Sequence, residues 1–98
     1  MTAKQRAALR AMANTIKPVL QIGKDGISDH LIKQAWDALE ARELIKVTLL
    51  KTAPYTAREA CDLLCEKVHA DPVQVIGQRF VIYRKARKDS KIDLDQLG

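Results

Sequence analysis

The sequence predicts a single α/β domain, in which a four-stranded mixed sheet is packed with helices in the order α-β-α-β-α-β-β. Three observations support this prediction. The chain has 98 residues, 47% of them apolar, which is enough for one compact core but not for two. Segments with apolar residues at helical spacing alternate with short runs rich in Val, Ile and Thr. Such alternation is typical of helices layered on a sheet.

The first helix is predicted over residues 2–15, where apolar residues recur at helical spacing. Pro18 interrupts this pattern, and a short strand over 19–22 follows it. Gly23 ends that strand and begins a glycine-bracketed loop, Gly23-Lys24-Asp25-Gly26.

The second helix is predicted to begin after Ser28, which is a favourable N-cap, and to extend to about Glu43. The β-branched run over 44–50 is too short for another helix and predicts a buried strand. Thr56 and Glu59 have the spacing of a capping box, so a third helix is expected to start there.

The rest of the chain predicts a β-hairpin followed by a tail. Strands over 73–76 and 79–84 are separated by Gly77-Gln78, a two-residue turn. Residues 85–98 lose hydrophobic periodicity and carry mixed charge, so we expect partial disorder there. The expected organisation is a domain over 1–84 and a basic mixed-charge tail over 85–98, and the sequence leaves the strand order open.

Charge is the first guide to function. The chain has 17 Lys and Arg against 12 Asp and Glu, a net charge of +5, which favours a polyanionic partner such as RNA. No segment has the apolar length of a membrane span, and residues 1–10 lack a signal-peptide core, so a cytoplasmic protein without a membrane partner is expected. No nucleophile with a base and no metal-ligand set stands at motif spacing. We therefore expect no catalytic residues, no cofactor, no metal and no small-molecule substrate.

The glycine-bracketed loop, residues 23–26, is the strongest candidate site. Two glycines allow close backbone approach, the N-terminus of the second helix attracts phosphate, and Lys24 adds a mobile cation. The alternative is a simple strand-to-helix turn, since such turns are common for conformational reasons. Asp25 opposes phosphate unless it points into solvent, caps an amide or contacts a base or a ribose hydroxyl.

Several blocks of the sequence, in order, carry a family resemblance: Lys4-Gln5-Arg6 with Leu9-Arg10, Lys17-Pro18-Val19, Gln21 through Gly26, Glu43 through Val47, and Gln74-Val75-Ile76-Gly77 through Tyr83-Arg84. Together they resemble the CRM domain, the chloroplast RNA splicing and ribosome maturation family, and especially its stand-alone bacterial YhbY-type members. The resemblance implies a fold similar to the C-terminal domain of bacterial translation initiation factor three. It also implies binding to ribosomal RNA in precursors of the large ribosomal subunit.

The resemblance places RNA contact at the loop and at neighbouring basic residues, and the predicted first helix presents a further basic cluster. The predicted RNA-binding residues are Lys4, Arg6, Arg10, Lys17, Gly23, Lys24, Asp25, Gly26, Lys46 and Arg84. The expected role is that of an assembly factor for the large subunit, by default a monomer. The alternative hypothesis is an adaptor that docks on a ribosomal protein or an assembly GTPase through a helix or an exposed strand.

Three further features have both a functional and a structural interpretation. A C-terminal basic run either extends the RNA footprint or is a solvated tail: Arg79, Arg84, Lys85, Arg87, Lys88 and Lys91. Cys61, Cys65 and His69 recur every four residues, but no fourth ligand motif accompanies them, so reduced core cysteines are expected rather than zinc. Trp36 lies among apolar neighbours, so partial burial is expected rather than base stacking.

Overall fold

A computed structural model describes residues 1–88 and 90–97, the side chain of Leu97 excepted, and confirms the predicted four-stranded mixed sheet. The helices are α1 (Ala3–Ala13), α2 (Asp29–Arg42), α3 (Ala57–Val68) and α4 (Leu94–Leu97). The strands are β1 (Pro18–Ile22), β2 (Leu44–Leu49), β3 (Asp71–Ile76) and β4 (Arg79–Tyr83). The strand order is β1-β2-β4-β3, with β1 parallel to β2, and β4 antiparallel to both β2 and β3.

Side-chain caps fix the starts of three helices. Ser28 Oγ accepts a 3.2 Å hydrogen bond from the backbone of α2, as predicted. The predicted capping box is also confirmed, since the N–H of Thr56 donates to Glu59 Oε1 and the N–H of Glu59 donates to Thr56 Oγ1. Thr2 and Gln5 form a second capping box at α1. The second helix therefore begins directly after the glycine-bracketed loop.

Helices pack on both faces of the sheet, and each face has its own apolar cluster. α2 and α3 cover one face, where their apolar side chains meet residues such as Ile22, Val47 and Phe80. α1 packs on the other face through Leu9 and Ala13, against the end of the sheet formed by Leu44, Val73, Val81 and Tyr83. Because alternate residues of a strand point to opposite faces, single strands contribute to both clusters. Among the residues that the structure describes, no helix is long and apolar enough to span a bilayer.

Two proline positions were predicted to lie outside strands and lie inside them. β1 begins at Pro18, and β3 begins at Asp71-Pro72 rather than at Val73. Both strands are at edges of the sheet, so only one side of each pairs with a neighbour. A proline is tolerated there because its missing N–H need not face a partner strand.

The expectation of a partly disordered tail is wrong for the described residues 85–88 and 90–97. They fold back on the domain, where Ile92 and Leu94 pack against the apolar cluster under α1. The Gln5 side chain of α1 donates a 3.1 Å hydrogen bond to the carbonyl oxygen of Leu94. A third apolar residue of the tail, Leu97, has its side chain outside the described part.

A single buried carboxylate holds this segment. Glu43 follows α2, is fully buried and has a backbone φ of +66°. Its Oε1 atom accepts hydrogen bonds from the N–H groups of Lys91 and Ile92, the latter at 2.7 Å. Its Oε2 atom accepts from the N–H of Ala86 and the hydroxyl of Ser90, both at 2.8 Å. We call residues 85–88 and 90–94 the C-terminal strap.

Candidate nucleic-acid interface

The loop Gly23–Gly26 lies at the edge of the sheet where β1 and β2 end, which we call the loop edge. Because these two strands are parallel and each leads into a helix, α2 and α3 also begin at this edge. Ligand sites of α/β folds commonly lie beyond the carboxyl ends of parallel strands. Lys24 and Lys51 are both exposed at the loop edge, beside two helix termini that carry partial positive charge.

Gly26 is required by the fold itself. Its φ is +67°, and its N–H donates a 3.0 Å hydrogen bond to the Gly23 carbonyl oxygen, which closes the turn. A Cβ atom at this position would lie 2.7 Å from Tyr55 Oη, closer than real contacts allow. The Tyr55 hydroxyl also accepts a 3.4 Å hydrogen bond from the N–H of Ile27. Turn geometry and the contact with Tyr55 therefore account for a glycine at 26.

Gly23 is different, because the fold tolerates a side chain there. Its φ lies outside the left-handed region. An added Cβ atom would meet Leu50 Cδ1 at 3.5 Å and Thr52 Oγ1 at 3.9 Å, which are ordinary van der Waals distances. Packing and backbone conformation therefore do not require a glycine at this partly exposed position, and its lack of a side chain leaves the backbone accessible to close approach.

The charge of the loop edge is mixed. Lys24 and Lys51 are offset by two exposed carboxylates, Asp25 in the loop and Asp29 in the first turn of α2. Asp29 complements the positive terminus of its own helix. Net positive charge for binding an anion must therefore come from residues beyond the loop.

The other predicted basic residues do not gather around the loop. Lys4 and Arg10 are exposed on α1, and Arg6 uses its Nε–H to bind a carbonyl oxygen of β3 at 3.3 Å. Lys17 precedes β1 and so lies at the end of that strand opposite to the loop, about 20 Å from Gly23 at the usual rise per strand residue. Lys46 is half-buried in the middle of β2, on the α1 side of the sheet.

Arg84 interacts within the protein. Its side chain is 11% exposed, and its Nη2 atom lies 2.8 Å from Glu40 Oε1. The centre of its guanidinium group lies 4.0 Å from the ring centroid of Trp36, and that of Arg87 lies 5.1 Å from the same centroid. These contacts fasten the beginning of the strap to α2. Trp36 is half-buried, as predicted, and its ring interacts with these two arginines.

Cys61 and Cys65 are buried free thiols, which confirms their predicted place in the core. The hydrogen bond with Cys61 and burial raise the pKa of the Cys65 thiol far above its usual value, so it stays protonated. Within the described ranges, no group of three His, Cys, Asp or Glu side chains is arranged to hold a metal ion.

Two basic residues near the loop edge, Lys51 and Arg79, are not among the predicted RNA-binding residues, although Arg79 belongs to the C-terminal basic run. Lys51 follows β2 beside Leu50 and Thr52, the residues nearest to Gly23. Arg79 begins β4 and, in alternation with the core residue Phe80, lies on the α1 side of the sheet. The alternation of the strands was visible in the sequence, but locating either residue beside the loop edge requires the strand order.

The fold and the loop define a class of small α/β domains in which a glycine-bracketed turn joins the first strand to the second helix. Residues 1–84 match the CRS1 / YhbY (CRM) domain. The chain belongs to this family, and the resemblance seen in the sequence is confirmed.

Similar proteins have names that refer to RNA. The chain is 37% identical over 94 residues to "Probable RNA-binding protein YqeI" of Bacillus subtilis (strain 168), which covers 96% of this chain and 98% of the relative. It is 29% identical over 94 residues to "RNA-binding protein" of Haemophilus influenzae, over 96% of this chain and 94% of the relative. The solution structure of SAV1595 from Staphylococcus aureus, described as a candidate RNA-binding protein, shares 43% identity and a TM-score of 0.79. The match covers 95% of this chain and 97% of that one.

Proposed function

We propose that this protein binds structured RNA through the loop Gly23–Gly26 and the basic residues around it, without catalysing a reaction. Gly23 is the observation that carries the proposal. A position at which the fold accepts a side chain holds a glycine, next to Lys24 and the N-terminus of α2. A phosphate backbone approaching Gly23 would meet N–H groups and a mobile cation. The names of YqeI and the Haemophilus influenzae relative support RNA as the partner.

We further propose which RNA the protein binds and what it does in the cell. The RNA is ribosomal RNA in precursors of the large subunit, and the protein acts in the cytoplasm as an assembly factor. Lys4, Arg6, Arg10, Lys17 and Lys46 supply the long-range attraction that the mixed charge of the loop does not. Arg84 contributes by fastening the strap to α2.

The first test compares two charge reversals of equal size. Lys24→Glu alters the loop, whereas Lys67→Glu alters an exposed position in the last turn of α3. Affinity for an in vitro transcribed large-subunit ribosomal RNA is measured from 50 to 200 mM KCl. Lys24→Glu is expected to weaken binding about 5- to 10-fold and to reduce the salt slope by about one, because one phosphate contact is lost. Equal effects of the two variants would show that net charge matters and the loop does not.

Gly23→Ala separates binding from folding. The backbone conformation at 23 suits alanine. The free energy of unfolding should therefore stay level or rise by about 0.4–1 kcal/mol. RNA affinity should nevertheless fall, because the methyl group occupies the space that the phosphate backbone needs. Unchanged affinity in this folded variant would leave the loop with a purely structural role.

The cellular part of the proposal needs its own measurement. Tagged protein in a cell extract is sedimented at low and high salt, and crosslinked RNA is sequenced from the bound fractions. Salt-sensitive comigration with large-subunit precursors, and crosslinks at a defined ribosomal site, are expected. Slow sedimentation without RNA crosslinks would contradict the assembly role and would direct the search to protein partners.

A further inference from the structure

The face of the sheet that carries α1 is covered over only part of its area. α1 packs on the end formed by Leu44, Val73, Val81 and Tyr83. Other strand residues also point to the α1 face, since they alternate with residues that point into the core under α2 and α3. They lie beyond the cluster that α1 covers, toward the loop edge. We call them the open sheet face: Val19, Gln21, Lys46, Thr48, Gln74, Ile76 and Arg79.

The composition of the open sheet face is selective. It holds two cations, Lys46 and Arg79, and three side chains capable of hydrogen bonding, but no carboxylate, although the chain has 12 Asp and Glu. Arg79 is exposed, and Ile76, its register partner on β3, is 63% exposed. The three ion pairs of the described residues include neither Lys46 nor Arg79. Both cations are therefore free to meet an anion.

The cleft in the middle of this face is smaller than a typical small-molecule pocket. This cleft, of about 130 Å³, lies where the C-terminal end of α1 meets the sheet, and its lining includes Asn14, Lys46, Gln74 and Arg79. Sites for drug-sized ligands usually measure about 300–1,000 Å³. A shallow face with cations, amides and a hydroxyl suits an extended polyanion instead.

The open sheet face also lacks the aromatic rings on which many RNA-binding sheets stack bases. None of its seven residues is aromatic, and Phe80 and Tyr83, also on β4, are buried. RNA-recognition sheets stack unpaired bases on exposed aromatic rings. Lys, Arg, Gln and Thr side chains instead suit phosphate oxygens and ribose hydroxyls.

This face adjoins the loop edge. Gln21 lies two residues before Gly23 on β1, and Arg79 follows the hairpin turn at the same edge, where the N–H of Leu49 donates to the carbonyl oxygen of Gln78 at 2.6 Å. β4 is two strands away from β1, about 10 Å across the sheet. One RNA segment can therefore reach both places.

We propose that the open sheet face is a second RNA contact, which binds the sugar–phosphate backbone of the RNA engaged by the loop. This inference rests on the proposed function, because RNA is the partner in both, and it adds a second binding surface to the protein. RNA is favoured over a protein partner because the face pairs unengaged cations with hydrogen-bonding side chains and has no carboxylate to repel phosphate. Arg79 and Lys46 bind phosphates, and Gln21 and Gln74 bind ribose or phosphate oxygens.

The test uses Arg79→Glu, with Lys67→Glu as the matched charge reversal and the same ribosomal RNA transcript. Arg79 is exposed and its side chain forms no ion pair among the described residues, so the variant should fold, which circular dichroism checks. Each phosphate contact changes affinity by about 3.5-fold between 50 and 200 mM salt. Arg79→Glu is therefore expected to weaken binding several-fold more than Lys67→Glu and to lower the salt slope by about one. Equal effects of these two variants would overturn the inference.

A measurement without substitution guards against a variant that fails to fold. Wild-type protein is acetylated with a lysine-reactive ester with and without the RNA transcript, and the sites are quantified by mass spectrometry. Bound RNA should protect Lys46 more than Lys67. Equal protection would count against the open sheet face, as would full protection of Lys46 by an acidic peptide with none by RNA.

The outcomes for the loop and for the face are distinguishable. If Lys24→Glu weakens binding and Arg79→Glu matches the control, the proposed function stands and the second contact falls. If only Arg79→Glu weakens binding, the face is an RNA contact and the loop is not. If the wild-type protein has no salt-dependent affinity for the transcript, the proposed function fails and the inference fails with it.

Discussion

Replacing Glu43 by glutamine should destabilise the protein strongly, although the side chain keeps its size. The carboxylate accepts four hydrogen bonds, two on each oxygen. An amide has one oxygen, which can keep the N–H groups of Lys91 and Ile92. Its NH₂ group can donate to the Ser90 hydroxyl, but the buried N–H of Ala86 then has no acceptor.

The loss of these hydrogen bonds sets the expected loss of stability. An unsatisfied buried N–H costs about 1–3 kcal/mol, and two charge-assisted hydrogen bonds become neutral ones at about 0.5–1 kcal/mol each. The expected loss for Glu43→Gln is about 3 kcal/mol, a large part of the total stability of a small domain. At about 4–8 °C per kcal/mol, the melting temperature should fall by about 12–24 °C.

Thermal and urea unfolding of the variant measure this loss. Glu66→Gln is the matched control, because Glu66 is exposed on α3 and its replacement should change stability by less than about 0.5 kcal/mol. A loss below about 1 kcal/mol for Glu43→Gln would refute the view that this carboxylate holds the strap.

Acid should remove the stabilisation that the Glu43 carboxylate provides. Burial raises the pKa of Glu43, but the N–H groups of Ala86, Ile92 and Lys91 and the Ser90 hydroxyl together outweigh burial and bring it below the usual 4.5. A lowered folded-state pKa means that the stabilisation is present above pH 4.5 and is lost as the pH falls through the folded-state value. The stability difference between wild type and Glu43→Gln should therefore be full at pH 7 and shrink below pH 4.5. A constant difference down to strongly acidic pH would contradict this assignment.

Two further predictions concern the loop and the core. Gly26→Ala should cost about 1–3 kcal/mol in urea unfolding, because the residue has a positive φ and the new methyl group meets the Tyr55 ring. Adding Tyr55→Leu should recover part of that loss, and if it recovers none, the clash with Tyr55 is not the cause. Cys61 and Cys65 should resist a thiol reagent in the native protein and react in urea, since both are buried. Fast labelling of native protein would show that α3 opens readily.

The sequence predicts well the helix caps and turns, which depend on residues that are neighbours in the chain. Ser28 and Thr56 cap the helices that they precede, and Gly77-Gln78 forms the hairpin turn, because these choices depend on local hydrogen bonds and backbone angles. The family was also recognisable from ordered blocks of residues. The pairing of β2 with β4 was not, since it joins strands separated by a helix and another strand.

The position of the strap and the distribution of charge could not be predicted from the sequence, because both depend on tertiary contacts. Glu43 reads as the last residue of a helix, and nothing in its neighbourhood signals that it will meet the N–H groups of residues 43 to 49 positions later. The C-terminal basic run, from Arg79 to Lys91, likewise looks like one group in the sequence. In the structure, Arg84 and Arg87 interact with Trp36, the Lys91 side chain donates to the carbonyl oxygen of Ala41, and Arg79 lies on the open sheet face.

The parallel pairing of β1 with β2 also has a consequence for folding dynamics. The β3–β4 hairpin closes a turn of two residues, whereas β1 reaches β2 only after a crossover of 21 residues has formed, which makes its pairing entropically slower. β1 has one neighbour and lies at the sheet edge, so it is well placed to be the first strand to separate in partial unfolding. The loop Gly23–Gly26 would separate from the sheet together with β1. Anything bound there would then hold β1 in register, so that a ligand at the loop would also suppress local opening of the domain.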